Sequence, residues 1–233
     1  MRRLGVMCLV LAVLVLSITA KAATVDWKGL TWDIRGTSNS AAVQGDGSID
    51  ISVLPDNSGD PNPDNWALTA LLPTTTQWVK FTFVDETGSM GTTVPRAYID
   101  TGHDGGSTLI QGGGFSGYAS AYINRHWYKD GEWLVNEWIN VGTRTANSVH
   151  TFMVGRRPDG SIDLYYDDVL KANVTDVLPP YFRRAYLGVQ AASGTTNVTG
   201  TYVDFTYGDT YVPEPVTLVL LGLGGLFQLR KRR

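Results

Sequence analysis

Val149-His150-Thr151-Phe152-Met153-Val154-Gly155-Arg156-Arg157 runs into Pro158-Asp159-Gly160, and Ser161-Ile162-Asp163-Leu164-Tyr165-Tyr166-Asp167-Asp168 runs back. Two runs of β-branched and aromatic residues around a Pro-Asp-Gly turn read as an antiparallel hairpin. The same polar–apolar alternation recurs in Ser48 to Leu54, Gln77 to Val84, Ala185 to Ala191 and Val198 to Tyr207. A period of two is the mark of a strand with one buried and one wet face.

Turn chemistry separates these runs at Gly45-Asp46-Gly47, Pro55 to Asn65, Gly102 to Gly106 and Gly112-Gly113-Gly114. No long helical stripe exists between residues 24 and 211; Asn173 to Leu178 could make a single turn. Many short strands in a chain with 26 glycines call for an all-β antiparallel sandwich or barrel. Asp-Gly-Ser-Ile-Asp occurs at 46–50 and again at 159–163. Its flanks do not match, so it reads as one turn chemistry used twice rather than as a repeat.

The hairpin at 149–168, with Ala185 to Gln190 and the closing Thr201 to Tyr207, resembles the late strands of concanavalin A-like (laminin G-like, lectin and glycosidase) jelly rolls. That resemblance covers most of the body and implies a β-sandwich whose ligand side is reached by this part of the chain. Fold alone does not fix function.

The ends are of another kind. Arg2-Arg3, the apolar run Leu4 to Ile18 and Ala20-Lys21-Ala22 have the layout of a signal peptide, residues 1–22, cleaved after Ala22. The apolar run is shorter than the ~20 residues of a membrane span. The only cysteine, Cys8, falls inside it, so a mature body of residues 23–211 holds no disulfide and depends on its core. Without the two ends the body keeps 12 basic and 21 acidic residues, a net of about −9. An acidic body excludes a nucleic-acid partner, whose phosphates demand a basic face.

Residues 212–233 hold Pro213-Glu214-Pro215, an apolar run from Val216 to Leu229, and Arg230-Lys231-Arg232-Arg233. In parts and order this resembles the PEP-CTERM sorting signal of Gram-negative bacteria. The resemblance implies an exosortase-type membrane enzyme as partner, processing near Pro213-Glu214-Pro215, and a destination at the cell surface or outside the cell. The 14 residues of Val216 to Leu229 reach only ~21 Å as a helix, short of a ~30 Å hydrocarbon core. The run therefore suits a transient stay in the inner membrane, with its basic end held on the cytoplasmic side.

Candidate chemistry is sparse. A jelly-roll glycosidase needs two carboxylates flanking the sugar bond, ~5–5.5 Å apart if retaining. The body has three glutamates, Glu86, Glu132 and Glu137, and the last two fall on opposite faces of a regular strand. The family's Glu-x-Asp-x-x-Glu string is absent, so no catalytic residue is assigned. The densest aromatic stretch offers Trp127, Tyr128, Trp133 and Asn136 as a saccharide platform, since flat rings suit the C–H faces of sugars and amides suit their hydroxyls. Core packing is the competing role for Trp133 and Trp138.

Asp56, Asp60, Asn62 and Asp64 form a candidate calcium loop of hard oxygen ligands. An EF-hand fails there, because Asn65 and Leu71 stand where Gly and Glu are needed. His103, His126 and His150 have no metal spacing. The expectation is an exported, non-catalytic β-sandwich that recognises polysaccharide. A glycoside hydrolase or polysaccharide lyase, and a purely structural matrix protein, are the alternatives.

Overall fold

Phe81, Phe152 and Phe205 meet at the centre of the body, with the Phe81 ring 6.0 Å from that of Phe152 and 5.1 Å from that of Phe205. Trp32 meets Phe205 edge-on at 5.1 Å from the opposite layer. All four side chains are essentially solvent-free. Each such side chain contributes ~1.5–3 kcal/mol by leaving water, which is how a body without disulfides holds together.

The computed structural model describes residues 23–36, 39–53, 66–87, 93–100, 106–114, 119–129, 132–175, 182–191 and 197–211. The strands among them are β1 (Thr24–Trp27), β2 (Leu30–Ile34), β3 (Ser40–Val43), β4 (Ile49–Val53) and β5 (Trp66–Leu71). They continue with β6 (Trp78–Asp85), β7 (Thr93–Asp100), β8 (Gly106–Gly114), β9 (Ser120–Lys129) and β10 (Glu132–Thr143). The last are β11 (Ser148–Arg156), β12 (Ile162–Tyr166), β13 (Val169–Val174), β14 (Arg184–Ala191) and β15 (Val198–Gly208). Two antiparallel sheets result, one of eight strands ordered β1-β2-β5-β14-β7-β8-β9-β10 and one of seven ordered β13-β12-β11-β6-β15-β4-β3. This is the all-β antiparallel sandwich, one of the two architectures that the alternation calls for and the one that the resemblance implies.

The alternating runs become strands where expected, and the 149–168 hairpin is β11–β12 with Phe152 opposite Tyr166. Two expectations fail locally. Asn173 and Val174 end β13 rather than start a helical turn. The glycines 112–114 lie inside β8 rather than in a loop, because a Cβ on Gly112 would stand 2.3 Å from the Phe152 ring of the facing sheet. The glycine makes room for the core's central aromatic.

The repeated Asp-Gly-Ser string does build one geometry twice. Asp46 accepts the Ser48 N–H and hydroxyl at 3.0 and 2.6 Å, and Asp159 accepts those of Ser161 at 2.9 and 2.7 Å. Arg144, between β10 and β11, grips Asp85 at the end of β6 with Nε and Nη2 at 2.7 and 2.9 Å, both side chains buried.

The chain leaves β15 under a clasp on the outer face of the seven-stranded sheet. The Tyr211 ring lies over Gly155, where a Cβ would come within 2.2 Å of it. Its hydroxyl donates to Asp163 at 2.7 Å and lies 2.9 Å from the Tyr165 hydroxyl. Asp163, fully buried, also accepts from Arg157 and Asn173 at 2.8 Å each. The stretches expected to be a signal peptide (1–22), a calcium loop (Asp56, Asp60, Asn62 and Asp64) and a sorting signal (Pro213, Glu214 and Pro215) lie outside the described residues.

Candidate functional site

Small and branched apolar side chains of the eight-stranded sheet point into the core: Ala185, Leu187 and Val189 from β14, Ala97 and Ile99 from β7, Ile110 from β8, Ala121 and Ile123 from β9. Period-two alternation then turns their neighbours to the outer face. Register aligns these in rows across the strands. One row runs Asp33–Thr69–Tyr186–Tyr98–Gln111–Asn124–Trp138. The next runs Gly188–Arg96–Gly113–Tyr122–Asn140, and the one on the other side runs Leu71–Arg184–Asp100–Leu109–His126–Asn136 in backbone register. Tyrosines, amides and an arginine thus occupy the middle of a face directed away from the core.

The middle is recessed. Tyr98 and Gln111 are each 2% exposed, Asn124 1% and Arg96 5%, although none belongs to the apolar core. Burial lowers the pKa of the Arg96 guanidinium from its ordinary value. Arg96 donates from Nη2 to Gln190 Oε1. Beneath it the Tyr202 hydroxyl, reaching across from the other sheet, lies 2.5 Å from Arg96 O and 2.7 Å from Gly188 O, and accepts the Gly188 N–H at 3.2 Å. That contact ties β7 to β14 where β14 bulges against β5.

Gln111 Oε1 and Thr69 Oγ1 are buried with no hydrogen-bond partner in the protein. They stand in one row three strands apart, about 14 Å. A buried acceptor left without a donor costs about 1–3 kcal/mol, so such atoms in a recess are set to receive hydroxyl or amide donors from outside.

Toward the β10 edge the face becomes exposed. Asn136 Oδ1 accepts from Trp138 Nε1 at 3.0 Å and from Asn124 Nδ2 at 3.3 Å, and Tyr122 meets Trp138 edge-on at 6.1 Å. Trp138 is 49% exposed, so it is no core residue. Of the four saccharide candidates read from the sequence, Asn136 is placed on this face. For Trp127, Tyr128 and Trp133 the structure describes the backbone: Tyr128 pairs with Trp133, and Trp127 with Val135 across a bulge. The sequence reading missed Tyr98, Tyr186 and Gln111. The signal for Tyr98 lay in Arg96-Ala97-Tyr98-Ile99-Asp100, where the polar and aromatic residues alternate with Ala97 and Ile99.

The carboxylates do not assemble here. The bulge between Trp133 and Val135 moves Glu132, opposite Lys129, onto the same face as Glu137, opposite Arg125, which corrects the expectation from a regular strand. The two are ~13 Å apart along the ladder, and Arg125 holds Glu137 at 2.6 Å. On the outer face Asp100 stands opposite Arg184, about 14 Å across the strands from Asp33. Asp26 and Asp33 are exposed on the edge hairpin. Among the described residues no three metal-ligating side chains converge.

No family model and no curated relative matches the sequence. Solved structures do. A Bacillus licheniformis β-glucanase superposes with a TM-score of 0.57 at 15% identity, over 82% of this chain and 100% of that one. A prokaryotic β-1,3-1,4-glucanase (lichenase) from a mouse hindgut metagenome gives 0.55 at 13%, over 82% and 98%. The carbohydrate recognition domain of Emp46p gives 0.52 at 9%, over 78% and 89%. The fold is therefore a concanavalin A-like jelly roll, shared by these glucanases and by a carbohydrate recognition domain.

Proposed function

We propose that this protein is exported to the cell surface or extracellular matrix and recognises polysaccharide there without cleaving it, through the outer face of the eight-stranded sheet. The observation that carries this reading is the row Thr69–Tyr186–Tyr98–Gln111–Asn124–Trp138, with Gln111 Oε1 and Thr69 Oγ1 buried and unbonded within it. Rings and amides in one recessed row suit a chain of sugars, which presents C–H faces and hydroxyl edges. Two solved structures of this fold are glucanases and one is a carbohydrate recognition domain, which supports a polysaccharide partner. The separation of Asp33 from Asp100 and of Glu132 from Glu137 speaks against hydrolysis, which needs carboxyls no more than ~9.5 Å apart. In the same proposal the segment from Pro213-Glu214-Pro215 to Arg233 is the sorting signal, handled by an exosortase-type enzyme at the inner membrane.

A glycan array with the body, run with and without calcium, tests the binding reading, and no bound glycan under either condition overturns it. Gln111→Leu is the decisive variant. Removing an unsatisfied buried acceptor leaves stability unchanged or raised, while affinity for the glycan found should drop about tenfold, ~1.4 kcal/mol. Undiminished affinity would remove Gln111 from the site. Surface-exposed protein should lack Val216 to Arg233 by mass spectrometry; an intact C-terminus there defeats the processing reading.

A further inference from the structure

At the end of the seven-stranded sheet where β11 begins, away from the face just described, Ser148 and His150 lie two apart and share the strand's inward side. His150 is packed against Phe83 and Tyr166, with ring centroids 6.3 and 5.3 Å away. β12 turns back through Asp167 and Asp168, whose φ values of 52° and 59° are those of a tight two-residue hairpin turn. The turn is fastened to β11: Asp167 N–H donates to Thr151 O at 2.9 Å, and Asp167 Oδ1 accepts the Thr151 N–H at 2.9 Å. The other carboxylate oxygen, Oδ2, lies 2.9 Å from His150 Nδ1, and His150 Nε2 lies 2.7 Å from Ser148 Oγ.

We infer that Ser148, His150 and Asp167 form a nucleophilic site that cleaves small acyl esters. The atoms stand in the order such chemistry needs. A carboxylate on Nδ1–H fixes the tautomer, which leaves the Nε2 lone pair facing the serine hydroxyl. Asp85, opposite Ser148 in the ladder, has both of its oxygens bound by Arg144, and Asp168, next in the turn, is held by Lys80 at 2.6 Å. Asp167 is therefore the acid that serves the imidazole, a positioning residue, while His150 is the base. The Ser148 hydroxyl also touches Thr145 O, so its proton has two acceptors. Transfer to Nε2 is the one that activates Oγ.

Ser148 is half-buried at the rim of the sandwich, so the substrate class is an ester with a small acyl group rather than a bulky one. Oγ forms a bond to the acyl carbon as its proton passes to Nε2, and the ester C–O bond breaks. The departing alkoxide takes that proton and leaves as the alcohol. Water, deprotonated by His150, then displaces Oγ, releasing the carboxylic acid and restoring Ser148.

The purified exported protein is treated with a fluorophosphonate probe and, separately, assayed with p-nitrophenyl acetate. A phosphonyl adduct mapped to Ser148 by mass spectrometry is the expected result, with label lost in Ser148→Ala. His150→Ala should slow ester cleavage about 10²-fold or more, the range of general-base catalysis, with added imidazole restoring part of it. That rescue is something a merely structural histidine would not show. Asp167→Asn should slow labelling with little change in melting temperature. If Ser148→Ala does not fold, Ser148→Cys replaces it: the body has no other cysteine, and alkylation of the new thiol should slow when His150→Ala is added. No adduct at Ser148, or equal labelling of a folded Ser148→Ala, overturns the site. Because no residue of the glycan face takes part, failure here leaves that reading untouched.

Discussion

Thr82 faces Thr151 across β6 and β11 on one side of the sandwich, and Tyr98 faces Tyr186 across β7 and β14 on the other. Both pairs sit on strands with the same inward pattern, and both look away from the same core. Away from the Tyr211 clasp, the seven-stranded sheet turns out Lys80, Thr82, Thr151, Thr201 and Thr206, short or flexible side chains at least partly open to water. The eight-stranded sheet turns out Tyr98, Arg96, Gln111 and Asn124, bulky groups that are nonetheless withdrawn from solvent. Core packing constrains only the inward residues, so the outward ones carry the difference on which the proposed ligand face rests.

The largest expected effect tests whether one core serves both sides. Phe152→Ala removes the ring between the sheets and should cost ~3–5 kcal/mol in chemical denaturation. Glycan binding should then fall only in step with unfolding. Tyr98→Ala should separate the sides, lowering glycan affinity roughly 10–100-fold in calorimetry, ~1.4–2.7 kcal/mol, in protein that is still folded.

Tyr211→Phe acts on the threonine-bearing side alone. It takes a donor from the buried Asp163, and the loss of ~1–2 kcal/mol should leave glycan affinity unchanged. Thr82→Val should change stability by less than ~0.5 kcal/mol and binding not at all; any loss of glycan affinity from it would break the contrast between the faces.

The smallest effect concerns acid. Donation from Ser48 and Ser161 holds the Asp46 and Asp159 carboxyls below the ordinary value. A carboxyl depressed by folding adds stability above its unfolded pKa of ~3.9, and the gain fades as pH falls through the lowered value. The double variant Ser48→Ala, Ser161→Ala should therefore lose slightly less stability between pH 5 and 2 in thermal melts.

The sheet of threonines was the more legible of the two. β4, β6, β11, β12 and β15 alternate strongly enough to read directly, because large apolar residues such as Ile49, Ile51, Phe81, Phe83, Phe152, Val154, Ile162 and Leu164 recur at every second position. Apart from β14, whose alternation over Ala185 to Ala191 is legible, the eight-stranded sheet hides its strands. Tyr98 and Tyr186 are as apolar-looking as core residues, Ala97 and Ala185 are weak inward signals, and Gly112 reads as a breaker until Phe152 is placed against it. Its neighbours β5, β14 and β7 come from distant parts of the chain, and local alternation carries no register between them. Asn136 was reachable from the aromatic stretch around it; Gln111 became visible only through the strands that bury it. The Glu132–Glu137 relation could not be read at all, since a single bulged residue inverts it.

The Tyr211 clasp gives the molecule a polarity. It fixes the end of the body to the threonine-bearing side, and five residues from Tyr211 to Val216 can span at most ~17 Å. While the proposed apolar segment remains in a bilayer, that side must lie close against the lipid headgroups, with no stalk between. The tyrosine-rich face, one sheet spacing of ~10 Å further out, then points away from the cell, toward whatever polymer surrounds it.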